Sequence, residues 1–430
     1  MKKVLIISYS YPPSNAPAAQ RPYAFAKYLD KTKYMVTVLT CSNQDSSLGF
    51  DKTKDIRLKD VELVRTKSWI GKGAASFREG GMVSKSEKKG FFKHIKKSIF
   101  KTLSSLITPD KAIFWLPSAK NWIKNEMSDY DIVITTSPVF SNHFLGRIIK
   151  KKNPNIKWVA DFRDYHFLEN LEYDNRFKNK LNKRWENRVI QESDVVVFIS
   201  NAMKEAYAKM YSEASYKMEV VYNGFDPEDY RNLEIKNVAS LPIKIFYAGS
   251  FYSGLRSPEP LFIILDHLMA NKLITKESVH VEIAGNIEIS LVESLKKYTS
   301  FECLRILGRI HHSEVMQKLV GTSLLWLIVG DKITHYSGVP LKFFEYLAAR
   351  RPILNFAPSH AEVTSIIKNY SLGWNFDPAQ ETITEQVETF KNIITQVEEG
   401  SLQNPLPSEV LEHFSRKEQT KELEEILENE

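Results

Sequence analysis

Short runs of β-branched and aliphatic residues alternate with helical patterns from one end of this chain to the other. That alternation predicts an α/β fold, in which parallel strands are covered by helices on both faces. In the first half the strands are expected at Val4-Ile7, Val36-Thr40, Val61-Arg65, Ile132-Thr135, Trp158-Ala160, Val195-Ile199 and Val220-Tyr222. A first helix, about Gln20 to Leu29, and the polar link Asp30-Lys33 make the opening a βαβ unit. A second series is expected at Ile243-Ala248, Val281-Ala284, Leu304-Leu307, Leu324-Ile328, Ile353-Phe356 and Gly373-Asn375.

At 430 residues the chain exceeds what one hydrophobic core usually supports, so two domains are expected. The polar stretch Asp229 to Ser240 separates the two strand series and places the domains at 1–235 and 236–413. The charged segment 414–430 reads as a final helix free to pack on either. Helix starts are expected at Ser257-Pro258, a serine cap followed by proline, and at Ser313.

Apolar residues make up 43% and charged residues 26%, which excludes a disordered or collagen-like chain. Cys41 and Cys303 lie far apart with no metal-ligand spacing, in keeping with a reducing cytoplasm. The apolar run at the N-terminus covers only Val4 to Ile7 before polar residues and prolines, so it reads as a strand rather than a signal peptide. No run of about 18 apolar residues is present to span a bilayer.

The net charge is +7, and seven lysines between Lys85 and Lys101 face one acid, Glu87. Residues 71–90 read as a surface loop. Beyond them Phe92, Ile95, Ile99, Leu103 and Leu106 recur at helical spacing, a basic amphipathic helix over 85–107 that fits either packing on its own domain or an anionic membrane surface. No aromatic stacking platform accompanies these lysines, which argues against nucleic acid as a partner.

Seven landmarks follow one another along the chain. They are Tyr9 to Pro22 (YSYPPSNAPAAQRP), Thr135 to His143 (TTSPVFSNH), Val159 to Asp164 (VADFRD), Ser193 to Met203 (SDVVVFISNAM), Val221 to Tyr230 (VYNGFDPEDY), Tyr247 to Tyr252 (YAGSFY) and Ser337 to Pro352 (SGVPLKFFEYLAARRP). Single pieces are weak signals, but the ordered set resembles retaining glycosyltransferases of family 4. The resemblance implies the GT-B fold, with two Rossmann-like domains facing across a cleft. It also implies an acceptor-binding first domain and a second domain that binds a nucleotide-diphospho-sugar as co-substrate, with no other cofactor.

In that family a helix-start glutamate binds the ribose hydroxyls, and Glu345 matches it; an ionised carboxylate accepts strongly from paired hydroxyls. An acid eight residues earlier faces the sugar in the family, and here Ser337 stands in its place. Diphosphate contacts fall on Arg256, Lys342 and the Gly338-Val339 turn. Gly249 and Gly285 close their strands and admit backbone approach, and Arg309 and His311 match the loop around the base. Asp161, Arg163 and Asp164 lie at a strand's C-terminal edge and are the candidate catalytic set, with Arg163 where many members carry histidine. Asp161 and Arg163 can equally pair with each other. Ser14, Asn15, Arg21 and His143 are candidate acceptor contacts, Arg21 with a place at the start of the helix and His143 with packing as their alternatives.

Metal is not expected. Asp129-Tyr130-Asp131 reads as the lead-in to a strand, and His311-His312 lacks a third ligand at useful spacing. The resemblance implies transfer with retention in the setting of bacterial surface polysaccharide or lipid-linked glycan synthesis. Two other readings remain: a sugar-nucleotide 2-epimerase, which shares the fold, and a non-catalytic sugar-nucleotide-binding partner protein.

Overall fold

The computed structural model describes residues 1–42, 58–69, 109–126, 130–170, 176–231, 233–234, 241–251, 256–402 and 407–429. The expected loop 71–90, the basic helix over 85–107 and Asp129 lie outside the described residues. The chain divides into two compact units, Met1–Ile199 with Met203–Val221 and Thr420–Glu430, and Ser200–Ala202 with Tyr222–Gln419.

The first unit is built on β1 (Lys2–Ile7), β2 (Tyr34–Cys41), β3 (Val61–Thr66), β4 (Ile132–Thr136), β5 (Lys157–Phe162), β6 (Val195–Phe198) and β7 (Met218–Val220). They form one parallel sheet in the order β3-β2-β1-β4-β5-β6-β7. Val4 sits opposite Val36 on one side and Ile132 on the other. Alternation along β1 divides the core, as a pleated strand requires. Leu5 and Ile7 join Trp115, Trp158 and Phe162 on one face, while Val4 and Ile6 join Phe25, Val36 and Val38 on the other. The helices include α1 (Pro17–Tyr28), α2 (Leu116–Glu126), α3 (Ser141–Lys152) and α4 (Arg176–Glu192). α1 starts with proline in its first turn, where the missing N–H costs no hydrogen bond.

The second unit repeats the plan with β8 (Ile243–Ala248), β9 (Val279–Ala284), β10 (Leu304–Gly308), β11 (Leu324–Ile328), β12 (Ile353–Phe356) and β13 (Gly373–Phe376). Its parallel order is β10-β9-β8-β11-β12-β13. Both sheets reverse their order beside their first strand, the arrangement that opens a crevice at the carboxyl ends of the strands. Its helices include α5 (Glu259–Ala270), α6 (His312–Val320), α7 (Leu341–Ala349), α8 (Glu362–Asn369), α9 (Ile383–Glu398) and α10 (Ser408–His413), while α11 (Arg416–Glu428) belongs to the first unit from Thr420 on. α9 opens with a reciprocal cap in which Glu385 N–H donates to Thr382 Oγ1 (3.3 Å) and Thr382 N–H donates to Glu385 Oε2 (2.7 Å).

Several boundaries differ from the sequence reading, among them the starts of α1 at Pro17 and of β9 at Val279. α5 begins at Glu259 with Pro258 as its N-cap, one residue after Ser257, whose Oγ accepts from Glu259 N–H at 3.2 Å, and α6 begins at His312 with His311 before it rather than at a Ser313 cap. β7 ends at Val220, because the Val221 carbonyl accepts from Arg21 and the Tyr222 hydroxyl donates to Glu362. The final helix is broken at Phe414-Ser415. There the Phe414 carbonyl accepts from Phe225 N–H (3.3 Å), and Arg416 N–H donates to the Phe225 carbonyl (2.9 Å). Leu423 and Leu427 of α11 join the core of the first unit. Among the described residues, no helix is long and apolar enough to cross a membrane.

Candidate active-site residues

In the second unit the turns after β8 and β9 interlock. Gly249 N–H donates to the Ala284 carbonyl and Gly285 N–H to the Gly308 carbonyl, both at 2.8 Å. Gly249 and Gly285 have φ of +143° and +138°, where a side chain is strained. A Cβ at Gly285 would lie 2.0 Å from the Gly249 carbonyl oxygen, and one at Gly249 would lie 2.5 Å from Lys342 Nζ. Gly249 therefore makes room for the lysine, and Gly285 makes room for the Gly249 backbone.

Lys342 reaches that place from the first turn of α7. Its Nζ stands 3.9 Å from the centre of the Tyr247 ring, covered from solvent and with no hydrogen-bond partner among the described residues. Burial pushes the amine well below the ordinary lysine range, and the neighbouring Arg256 guanidinium pushes it further. Arg256 donates to the Ser250 carbonyl at 3.3 Å. The Tyr346 hydroxyl fixes α7 to the sheet, donating to the Trp326 carbonyl (3.0 Å) and accepting from Ala248 N–H (3.2 Å).

Glu345 lies three residues after Lys342, on the same face of α7. Burial raises its carboxyl, against the charges of His312, Arg416 and Lys342. Arg416 donates to the Gly224 carbonyl at 2.8 Å and lies in the field of Asp226, Asp229 and Glu345. Tyr247, Tyr346 and Arg416 escape a motif reading because each acts through a fold contact; the one sequence signal is an aromatic with a polar tip inside an apolar run. Ser337 is turned inward, its hydroxyl donating to the Ile333 carbonyl while its own carbonyl accepts from Ser200. Val339 is packed in the core, and a Cβ at Gly338 would meet nothing. Arg309 is exposed and donates to Asn286 (3.2 Å), and His311 is exposed just before α6.

At the strand ends of the first unit, Asp161 is buried and satisfied. It accepts from Arg21 Nη2 (2.9 Å) and Nε (3.1 Å) and from Thr136 Oγ1 (2.6 Å). Asp161 therefore pairs with Arg21 and not with Arg163. Arg163 donates instead to the Ala18 carbonyl (2.9 Å) and the Pro17 carbonyl (3.3 Å), holding the β1–α1 loop against the end of β5. Asp164 is the exposed residue of the three, yet desolvation raises its carboxyl against the charge of Arg163.

Ser14 is buried and accepts from Ala16 N–H (3.3 Å), whereas Asn15 is exposed. Arg21 and His143 are corrected from acceptor contacts to core groups. His143 is fully enclosed, stacked on Phe162 with ring centres 4.7 Å apart and bonded to Thr135 Oγ1 at 2.8 Å. Burial lowers its pKa to about 3, which keeps the ring neutral. Asp131 accepts from Lys3 N–H at 2.7 Å, a strand lead-in. Among the described residues no three His, Cys, Asp or Glu side chains gather as a metal site.

A sequence model of Glycosyltransferase Family 4 matches residues 81–229. The chain carries a glycosyltransferase family 4 domain. The whole glycosyltransferase is similar to solved structures that show its GT-B fold of two Rossmann-like units. Sucrose-phosphate synthase from Thermosynechococcus elongatus aligns with 12% identity over 99% of this chain and 98% of that one, at a TM-score of 0.61. The lipopolysaccharide outer core galactosyltransferase WaaB in its apo form shows 16% identity over 99% of each chain (TM-score 0.57). Anabaena Alr3699/HepE, solved in complex with UDP-glucose, shows 14% identity over 99% of each chain (TM-score 0.55). No curated protein matches the glycosyltransferase in sequence.

Proposed function

We propose that this glycosyltransferase moves a sugar from a nucleotide-diphospho-sugar to an acceptor hydroxyl, with retention at the anomeric carbon and without a metal ion. Lys342 carries the reading. A covered ammonium with no acceptor is costly, and an anion supplied by a ligand relieves that cost. Arg256 beside it adds a second positive charge. Together they answer the charge that develops on a departing diphosphate, the task a metal performs in other transferases.

Glu345 accepts from the ribose hydroxyls, and the glycine turns at 249 and 285 let backbone approach the phosphates. The acceptor oxygen bonds the anomeric carbon as the carbon–phosphate oxygen bond breaks on the same face, and the acceptor proton passes to the leaving phosphate. Residues 236–413 hold the donor and 1–235 the acceptor, with Asn15 and Asp164 as exposed contacts positioned by the Arg163 clamp. The likeness to HepE makes a uridine diphosphate sugar the first donor to try, and the likeness to WaaB supports a surface-glycan setting. Attachment to the inner face of the membrane through 85–107 completes the reading.

Purified protein incubated with a donor series and mixed acceptors tests it, with the product anomer read by NMR. Transfer with retention is expected, and transfer with inversion contradicts the proposal. Inversion at C2 of the donor sugar without acceptor marks an epimerase, and nucleotide binding without turnover marks a non-catalytic partner.

A further inference from the structure

We infer that α4 (Arg176–Glu192) of the first unit is a docking face for an anionic lipid bilayer, separate from the 85–107 segment and from the nucleotide site. Positions 176, 180, 183, 184 and 187 fall on one side of a helix. Arg176, Lys180, Lys183 and Arg184 are all exposed, and none has a carboxylate partner among the described residues. Beside them Phe177 is 76% exposed, which puts an apolar ring within the cationic row.

The helix has two acids, and neither offsets this face. Glu186 is fully buried, accepting from Tyr207 (3.0 Å), Tyr211 (2.8 Å) and Phe167 N–H (2.9 Å). Glu192 is held by Arg147 at 2.6 Å at the far end of the helix. Inward contacts through Val189 and Ile190 fix which side of α4 faces solvent. Among the described residues, the result is a row of four cations with a projecting ring and no carboxylate paired to it.

A lipid surface matches that chemistry. Phospholipid headgroups attract the cations, and the ring enters the boundary between headgroups and acyl chains. A nucleic-acid strand fits less well, because an outward helix face offers no groove to track a backbone.

Sedimentation with vesicles tests the inference, comparing phosphatidylglycerol mixed with phosphatidylcholine against phosphatidylcholine alone. Wild-type protein is expected to sediment only with the anionic vesicles at low salt and to release as salt rises. The triple variant Lys180→Glu, Lys183→Glu, Arg184→Glu should lower partitioning at least about tenfold, and Phe177→Ser should lower it by a smaller factor. All variants should keep the thermal unfolding midpoint of wild-type protein, and any shift that a nucleoside diphosphate gives wild type should persist in them, so loss of docking is distinguishable from failure of folding or of the proposed function. The inference is overturned if the triple variant sediments like wild type or if wild type ignores anionic vesicles. It is equally overturned if only reversal of Lys93, Lys96, Lys97 and Lys101 releases the protein, or if heparin binds wild type while vesicles do not.

Discussion

At the scale of single residues, two buried charges behave differently because one has its counter-ion inside the fold and the other does not. Asp161 and Arg21 satisfy each other, so Asp161→Ala should destabilise the protein by about 3–5 kcal/mol by leaving Arg21 uncompensated. Replacing both by apolar residues should cost much less, and urea unfolding of the single and double variants measures the difference. Among the described residues Lys342 has no hydrogen-bonded counter-ion, although the field of Glu345 partly opposes the effect of its burial. Its folded amine titrates below its unfolded value, so between the two the unfolded chain holds more protons and stability rises with pH. Wild-type stability should therefore climb from neutral pH toward the ordinary lysine range relative to Lys342→Met, and parallel pH profiles of the two proteins would refute the assignment. Lysine 342 and Glu345 were legible from their motif, whereas their support by Tyr247 and Tyr346 was not, since hydroxyl and ring contacts between distant segments leave no local pattern.

At the scale of elements, strands whose residues are buried on both faces are the most readable. Leu324–Ile328 and Ile353–Phe356 have the bounds expected from sequence, because their apolar runs are continuous. Boundaries set by tertiary hydrogen bonds were not legible, as at Val220 and at Phe414-Ser415. For His143 the structure agrees with the packing alternative, which the motif alone did not decide because a polar ring at a strand end gives no sign that Phe162 will enclose it. The glycine turns yield a sharp contrast. Gly285→Ala places a methyl group against backbone and should destabilise by more than about 1 kcal/mol, while Gly338→Ala has open space and an ordinary backbone angle and should change stability little. Thermal unfolding of the pair checks this, and equal losses would show that the Gly285 approach is not tight.

At the scale of the whole molecule, the chain uses one strand order twice and puts different chemistry at the two sets of strand ends. In the first unit the charged groups are largely internal, with Asp161, Arg21 and Arg163 holding backbone and each other. In the second, Lys342, Arg256 and Glu345 gather around paired glycines without neutralising one another fully. The two-domain plan was legible because length, linker and strand alternation agree. The proposed division of labour between the units rests on which charges the fold satisfies, and that pattern has no local sequence signature. The C-terminal α11 adds Leu423 and Leu427 to the first unit, so Leu423→Ala should cost about 2–5 kcal/mol in unfolding experiments. The central claim, that the second unit holds a nucleoside diphosphate over Lys342, is met most directly by calorimetric titration of uridine, guanosine and adenosine diphosphates into wild type and Lys342→Met. The account predicts that at least one binds wild type and loses about tenfold to a hundredfold in affinity in the variant; equal affinity for both proteins would contradict it.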